Sequence, residues 1–155
     1  MEKHKKCCFI GHRIIEINSE QKEKLKNFVE DLIVSKGVYT FLFGSRSKFD
    51  NLCHELVTEL GQKYPHISRV YVRAEYSEIS EEYENYLLQF YEESYFPISI
   101  KGAGRAVYVE RNMHMIDNSE YCIFYYDTNN TLKNSGTKKA YDYAMRKKKK
   151  VINVY

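Results

Sequence analysis

Three short glycine-bearing segments hold the side chains best suited to an anion: Gly11-His12-Arg13, Gly44-Ser45-Arg46 and Ser135-Gly136-Thr137. Arg13 and Arg46 can each clamp a phosphate or carboxylate through paired N–H donors. Ser135-Gly136-Thr137 stands where a helix would open. A helix start offers unpaired N–H groups and a partial positive charge that suit phosphate, and Gly136 lets the backbone approach closely. The hydroxyls of Ser135 and Thr137 can touch such a ligand or cap the helix, and the bland reading is a capped helix with no ligand. Glu110 is a further candidate, able to hold sugar hydroxyls or serve as acid or base. It begins a row with His114 and Asp117 at i, i+4 and i+7, which beside an apolar stripe normally faces solvent.

The elements that must position these residues read as repeated strand, loop and helix. Apolar runs at Cys7 to Ile10, Tyr39 to Phe43, Ser68 to Arg73, Tyr121 to Tyr126 and Val151 to Tyr155 lack the alternation of a one-sided sheet, so they predict a five-stranded, mainly parallel sheet buried on both faces. Between them, Leu25, Phe28, Val29, Leu32 and Ile33 lie on one helical face, as do Phe49, Leu52, Cys53, Leu56, Val57 and Leu60. A third helix is expected from Arg105, with Ala106, Val109, Met113 and Ile116 as its buried stripe. This order predicts βαβ units in a single domain spanning residues 1–155, with the glycine loops gathered beyond the carboxyl ends of the strands. Gly102-Ala103-Gly104 is not a dinucleotide fingerprint, because Val107 stands at the third glycine position and no strand leads directly into it.

The rhythm breaks at residues 74–101, where Tyr76, Tyr83, Tyr86, Phe90, Tyr91, Tyr95 and Phe96 are mixed with many glutamates. This excursion reads as irregular, with one short helix around Glu81 to Tyr91 ended by Pro97. Its rings could stack on a base as a lid, or cover the sheet edge, or form a dimer contact.

Composition narrows the class. The 155 residues carry 24 basic and 21 acidic side chains, and the resulting charge of +3 is no nucleic-acid signature. Lys147 to Lys150 sit at a predicted helix end, where cations favour the macrodipole. The four cysteines show no C-x-x-C spacing, which points to reduced core thiols and to no metal site. No apolar run approaches a membrane span or a signal peptide, so the expected location is cytoplasmic.

In order along the chain, Cys8-Phe-Ile-Gly-His-Arg13, Phe43-Gly-Ser-Arg46, Tyr71-Val-Arg-Ala-Glu-Tyr76, Val109-Glu-Arg-Asn112 with Met115-Ile-Asp117, and Ser135-Gly-Thr137 before Val151-Ile-Asn-Val154 resemble the SLOG superfamily of Rossmann-like proteins, in or near its YpsA-like branch. The resemblance implies a three-layer α/β Rossmann-like domain, often a homodimer, that binds a nucleotide or nucleotide-derived molecule at the strand ends. Position at predicted strand ends or helix starts makes Gly11, His12, Arg13, Gly44, Ser45, Arg46, Asn112, Ser135, Gly136 and Thr137 the expected ligand-binding residues, and no cofactor and no metal are expected. The superfamily includes phosphoribohydrolases that pair an arginine with a glutamate on the helix before the fourth strand, and Glu110 and Arg111 match that pair as catalytic candidates.

The hydrolase loop Pro-Gly-Gly-x-Gly-Thr is reduced here to Gly136-Thr137, and Lys138 and Lys139 stand where acids would follow. One expected carboxylate is thereby missing, and the longer loop from Asp127 to Asn134 would reshape the phosphate site. The first expectation is therefore binding or sensing of a nucleotide-derived ligand, through oligomer contacts or an unidentified protein partner. The alternative is hydrolysis of the N-glycosidic bond of a nucleoside 5′-monophosphate, with Arg111 and the Gly136-Thr137 amides on phosphate and Glu110 orienting ribose or water. A weaker one is nucleic-acid binding through Lys147 to Lys150.

Overall fold

The computed structural model describes residues 4–129 and 135–155. Its centre is a sheet of six strands, all parallel: β1 (Lys5–Gly11), β2 (Val38–Phe43), β3 (Ser68–Val72), β4 (Glu93–Tyr95), β5 (Tyr121–Tyr125) and β6 (Lys150–Asn153). They lie in the order β4-β3-β2-β1-β5-β6. The chain therefore builds outward from β1 in one direction, then returns to add β5 and β6 on its other side. Between β1 and β5 the strand order reverses, and in open parallel sheets a crevice opens at that point.

Each buried strand feeds two cores. Cys7 and Phe9 of β1 face α1 (Ser19–Lys36) and α2 (Lys48–Lys63), where Val29, Leu32, Phe49, Cys53 and Val57 close one layer. Cys8 and Ile10 point the other way and join Met115, Ile116, Ala140 and Ala144 from α4 (Val107–Asp117) and α5 (Gly136–Arg146). This is why the strands read as continuous apolar runs: with helices on both faces, every side chain of β5 is buried. All four cysteines are buried free thiols within these cores. No helix among the described residues is long and apolar enough to cross a membrane.

Local signals set the helix ends. Asn18 caps α1 with a reciprocal pair, its side chain accepting from Gln21 N while Gln21 accepts from Asn18 N. Gly37 ends the helix at φ 69°, in the left-handed region where a Cβ would be strained.

Two expectations are corrected. The sheet has six strands, not five, because the aromatic excursion contains β4, paired with β3 from Val70↔Glu93 to Val72↔Tyr95. At three residues on a sheet edge, it is too short to show a period. The excursion also forms α3 (Glu81–Leu87), capped by Ser80. The second correction concerns α4, which follows a 3₁₀ turn at Gly104–Ala106 and buries Arg111, Met115 and Ile116 instead of Ala106, Val109 and Met113. A buried arginine rotates the inner face away from the stripe that apolar residues alone would mark.

Phe43, the last residue of β2, is fully buried and its ring lies 5.2 Å from that of Phe9. Phe43→Ala is expected to cost about 3–5 kcal/mol through the cavity it leaves. Urea denaturation should show a lower midpoint at unchanged slope, and a loss below about 1 kcal/mol would contradict this packing.

Candidate functional site

At the carboxyl ends of β1, β2 and β3 the chain encloses a cleft of about 940 Å³. Its floor is the end of β1, from Phe9 to Gly11, and one wall is the start of α5, from Ser135 to Thr137. The other wall comes from the end of β3 and beyond, with Tyr71, Arg73, Tyr76 and Tyr83, joined by Tyr108 of α4.

Eleven of the twelve residues expected from sequence line this cleft: Gly11, His12, Arg13, Gly44, Ser45, Arg46, Arg111, Asn112, Ser135, Gly136 and Thr137. Glu110 does not. It is exposed on α4 with Tyr143 of α5 in its field, because successive helical residues diverge by about 100° and Arg111 takes the inward position. Asp127 to Asn129 of the loop are described, and residues 130–134 lie outside the described ones.

Arg111 is only 6% exposed. It donates from Nη1 to the Gly44 carbonyl and from Nε to Asn112 Oδ1 at 3.1 Å. Gly44 has to be glycine for this: a Cβ there would stand 2.6 Å from Met115 Sδ and 2.8 Å from Arg111 Cδ and Nε. Burial lowers the pKa of Arg111 and nearby Asp50 opposes the shift, so the guanidinium stays a cation.

Asp50 was not among the expected residues, and it is 3% exposed in the same cleft. Its Oδ2 accepts from Ser45 N at 2.8 Å and Ser45 Oγ at 2.7 Å. Its Oδ1 is buried without a hydrogen-bond partner among the described residues. Burial pushes its pKa up to about 6, outweighing the Ser45 hydrogen bonds, Arg111 and the Gly44 backbone amide, which pull it down. A sequence signal existed: Ser47-Lys-Phe-Asp50 has capping-box spacing, and Ser47 does cap α2 by accepting from Asp50 N at 3.1 Å. The acid, however, turns toward Ser45 and the cleft.

His12 ties the ends of β1 and β5 together. Its backbone N–H donates to the Tyr125 carbonyl at 3.3 Å, and its ring Nε2 accepts from Asp127 N at 3.0 Å, so the ring is neutral with its proton on Nδ1. Burial lowers its pKa, against the pull of Asp127.

At α5, Ser135 Oγ accepts from Lys138 N at 3.0 Å and its carbonyl from Lys139 N, which leaves the Gly136 and Thr137 amides at the open turn. Among the described residues, a Cβ on Gly136 would meet no atom within 4 Å. Arg13, Arg46, Lys48, Arg73 and Arg111 surround the cleft against Asp50 and Glu75, an excess of positive charge. Glu75 accepts from Tyr108 OH at 3.0 Å, and Arg46 donates to Tyr83 OH at 3.3 Å. No group of three or more His, Cys, Asp or Glu gathers to hold a metal among the described residues.

A family model named YpsA, described as the YspA SLOG family, matches residues 8–155. The chain belongs to this family. Among solved structures, this YpsA-family chain is similar to the X-ray structure of DNA processing protein A (DprA) from Streptococcus pneumoniae, with a TM-score of 0.61 at 13% identity. The match covers 96% of this chain and 49% of that one, so the chain spans about half the length of its structural neighbour, and the likeness is one of fold. No curated protein matches the sequence.

Gly44→Ala is expected to displace Arg111 and Met115 and to cost about 1–3 kcal/mol, readable as a lower denaturation midpoint. An unchanged midpoint would mean that Arg111 leaves the Gly44 carbonyl freely.

Asp50 also predicts a pH dependence. Its folded pKa of about 6 lies above the ordinary 3.8, so its contribution is fully present below the unfolded value and is lost as pH rises through about 6. The shift corresponds to about 3 kcal/mol. His12 acts oppositely, its contribution being lost as pH falls through its lowered pKa. The difference in unfolding free energy between wild type and Asp50→Asn isolates the first effect: the variant should gain on the wild type from pH about 4 to about 7. A difference that does not change with pH would refute the shift.

Proposed function

We propose that this YpsA-family protein binds a nucleotide or nucleotide-derived ligand in the cleft and acts as a binding or sensing protein. The observation that carries the reading is the pairing of unlike walls: α5 amides at one end and tyrosine rings at the other, in a cleft lined by five cations against two acids. Phosphate suits the first wall and a base the second. Arg13 and Arg46 are both exposed at the rim, where their guanidinium forks suit an anion, Arg46 being oriented there by Tyr83.

The hydrolase reading is the second choice. It loses Glu110, which faces away from the cleft, and Lys138 is paired with Asp142 at 2.7 Å at the position where a family acid would follow. Asp50 is the buried carboxylate that keeps this reading alive. DprA is by name a DNA processing protein, which brings nucleic acid into consideration. In this chain Lys147 to Lys150 follow the far end of α5, about 15 Å from its cleft end, and do not share the anion site.

A ligand that binds only the folded state, present at about 100 times its dissociation constant, adds about 2.7 kcal/mol. A panel of nucleotides, dinucleotides and cyclic nucleotides should therefore contain at least one compound that raises the melting temperature by about 5–11 °C. Glu110→Gln should keep that shift, and Gly136→Val should lose most of it. No shift from any compound at millimolar concentration would refute nucleotide binding. Release of free base from purine nucleoside monophosphates should be slow or absent; robust turnover that Glu110→Gln abolishes would promote the hydrolase instead.

A further inference from the structure

A second cavity, of about 650 Å³, lies at the outer edge of the sheet, between the segment after β3, α3 and the edge strand β4. Small-molecule sites commonly occupy about 300–1,000 Å³, so it has room for a ligand of its own. Arg73 lines both this cavity and the cleft, yet its side-chain hydrogen bonds turn it toward the second. Its Nη1 donates to Ser94 Oγ at 3.3 Å and its Nη2 to the Ser77 carbonyl at 3.5 Å; both serines line the second cavity and neither lines the cleft. Nε is buried, so the Nη end is the part of the guanidinium directed there. Both bonds are long and both acceptors neutral, which leaves a half-buried cation without a counter-charge.

The rest of the lining selects the kind of ligand. Lys101, Glu78 and Glu84 belong to the same cavity, and all three are exposed. None of these four charged groups forms an ion pair with another charged side chain among the described residues. Two cations against two acids give no net charge, in contrast to the cleft, with the arginine further in and the acids at the rim. A phosphate or a dicarboxylate would meet the rim acids, and a simple amine would meet Arg73. A zwitterion satisfies both ends, its carboxylate matching the paired Nη donors. The apolar part of the lining includes Ile79 and Phe96, both half-buried, and Ile98, whose 84% exposure is the largest of any bulky apolar side chain among the described residues. An apolar group seated there would take that isoleucine out of water. We propose that this cavity binds a free α-amino acid with an apolar side chain: carboxylate on Arg73, ammonium at Glu78 and Glu84, side chain against Ile79, Phe96 and Ile98. The site is independent of the nucleotide-binding reading.

Isothermal titration calorimetry of the whole chain with L-valine, L-leucine, L-isoleucine, L-methionine and L-phenylalanine, each beside its methyl ester and its N-acetyl derivative, tests it. At least one amino acid should bind with a dissociation constant of about 1 mM or tighter, and both of its derivatives should bind about tenfold or more weakly, because each lacks one charged contact. Arg73→Gln should weaken the amino acid by about tenfold or more, as should Glu78→Gln combined with Glu84→Gln, whose exposed positions leave the fold intact. In two-dimensional NMR the amides of Ser77, Ser94 and Ile98 should move on titration, and those of Gly11 and Gly136 in the cleft should not. Failure of all five amino acids to bind at about 10 mM overturns the proposal. So does a methyl ester or N-acetyl derivative as tight as its parent, an affinity retained in folded Arg73→Gln, or amide shifts confined to the cleft. If Arg73→Gln does not fold, the two derivatives measured on the wild type decide in its place.

Discussion

The contact between Arg111 and the carbonyl of Gly44 organises the rest of the molecule. It joins the end of β2 to the inner face of α4, where a Cβ on residue 44 would push Met115 and the arginine stem aside. A cation buried in this way must be matched electrostatically. Asp50, held by Ser45 at the start of α2, is the nearby carboxylate that does so. One glycine thereby sets the seat of α4, the direction of a buried guanidinium and the burial of an acid. The cleft is the space those three leave in front of the sheet.

A second consequence follows from where that space lies. Because β1 has β2 on one side and β5 on the other, the loops leaving these strands part at the reversal of strand order. His12 spans the gap by bonding to Tyr125 and to Asp127, and α5 presents its first turn beside it. The cations are therefore split between a rigid group, represented by Arg111, and an exposed rim with Arg13 and Arg46.

The aromatic excursion serves the sheet and the cleft at once. Tyr91 packs 5.9 Å from Phe43, 5.2 Å from Tyr71 and 4.9 Å from His54, ring centre to ring centre, and His54 Nε2 lies 2.8 Å from the Phe90 carbonyl. Tyr95 belongs to the edge strand and reaches His114 Nε2 at 2.8 Å. Tyr83 instead lines the cleft, linked to Arg46. Packing against the sheet and lining the cleft belong to different tyrosines of the same segment.

Five of the six strands and the three glycine loops were legible in the sequence, because continuous apolar runs and helical stripes are local patterns that burial on both faces imposes residue by residue. The resemblance to the SLOG superfamily rested on motifs in those same loops. Local pattern could not show β4, whose three residues pair with β3 across a turn and a helix. Nor could it turn α4 correctly: an arginine scores as polar in any periodicity, and only the glycine opposite makes its burial possible. Glu110 and Arg111 are neighbours in sequence and part company in space, one exposed and one buried. Asp50 was not among the residues expected from the sequence. Its isolation within the cleft, and with it the identity of the cleft's buried acid, is a property of tertiary packing, since desolvation depends on what the rest of the chain brings around a side chain.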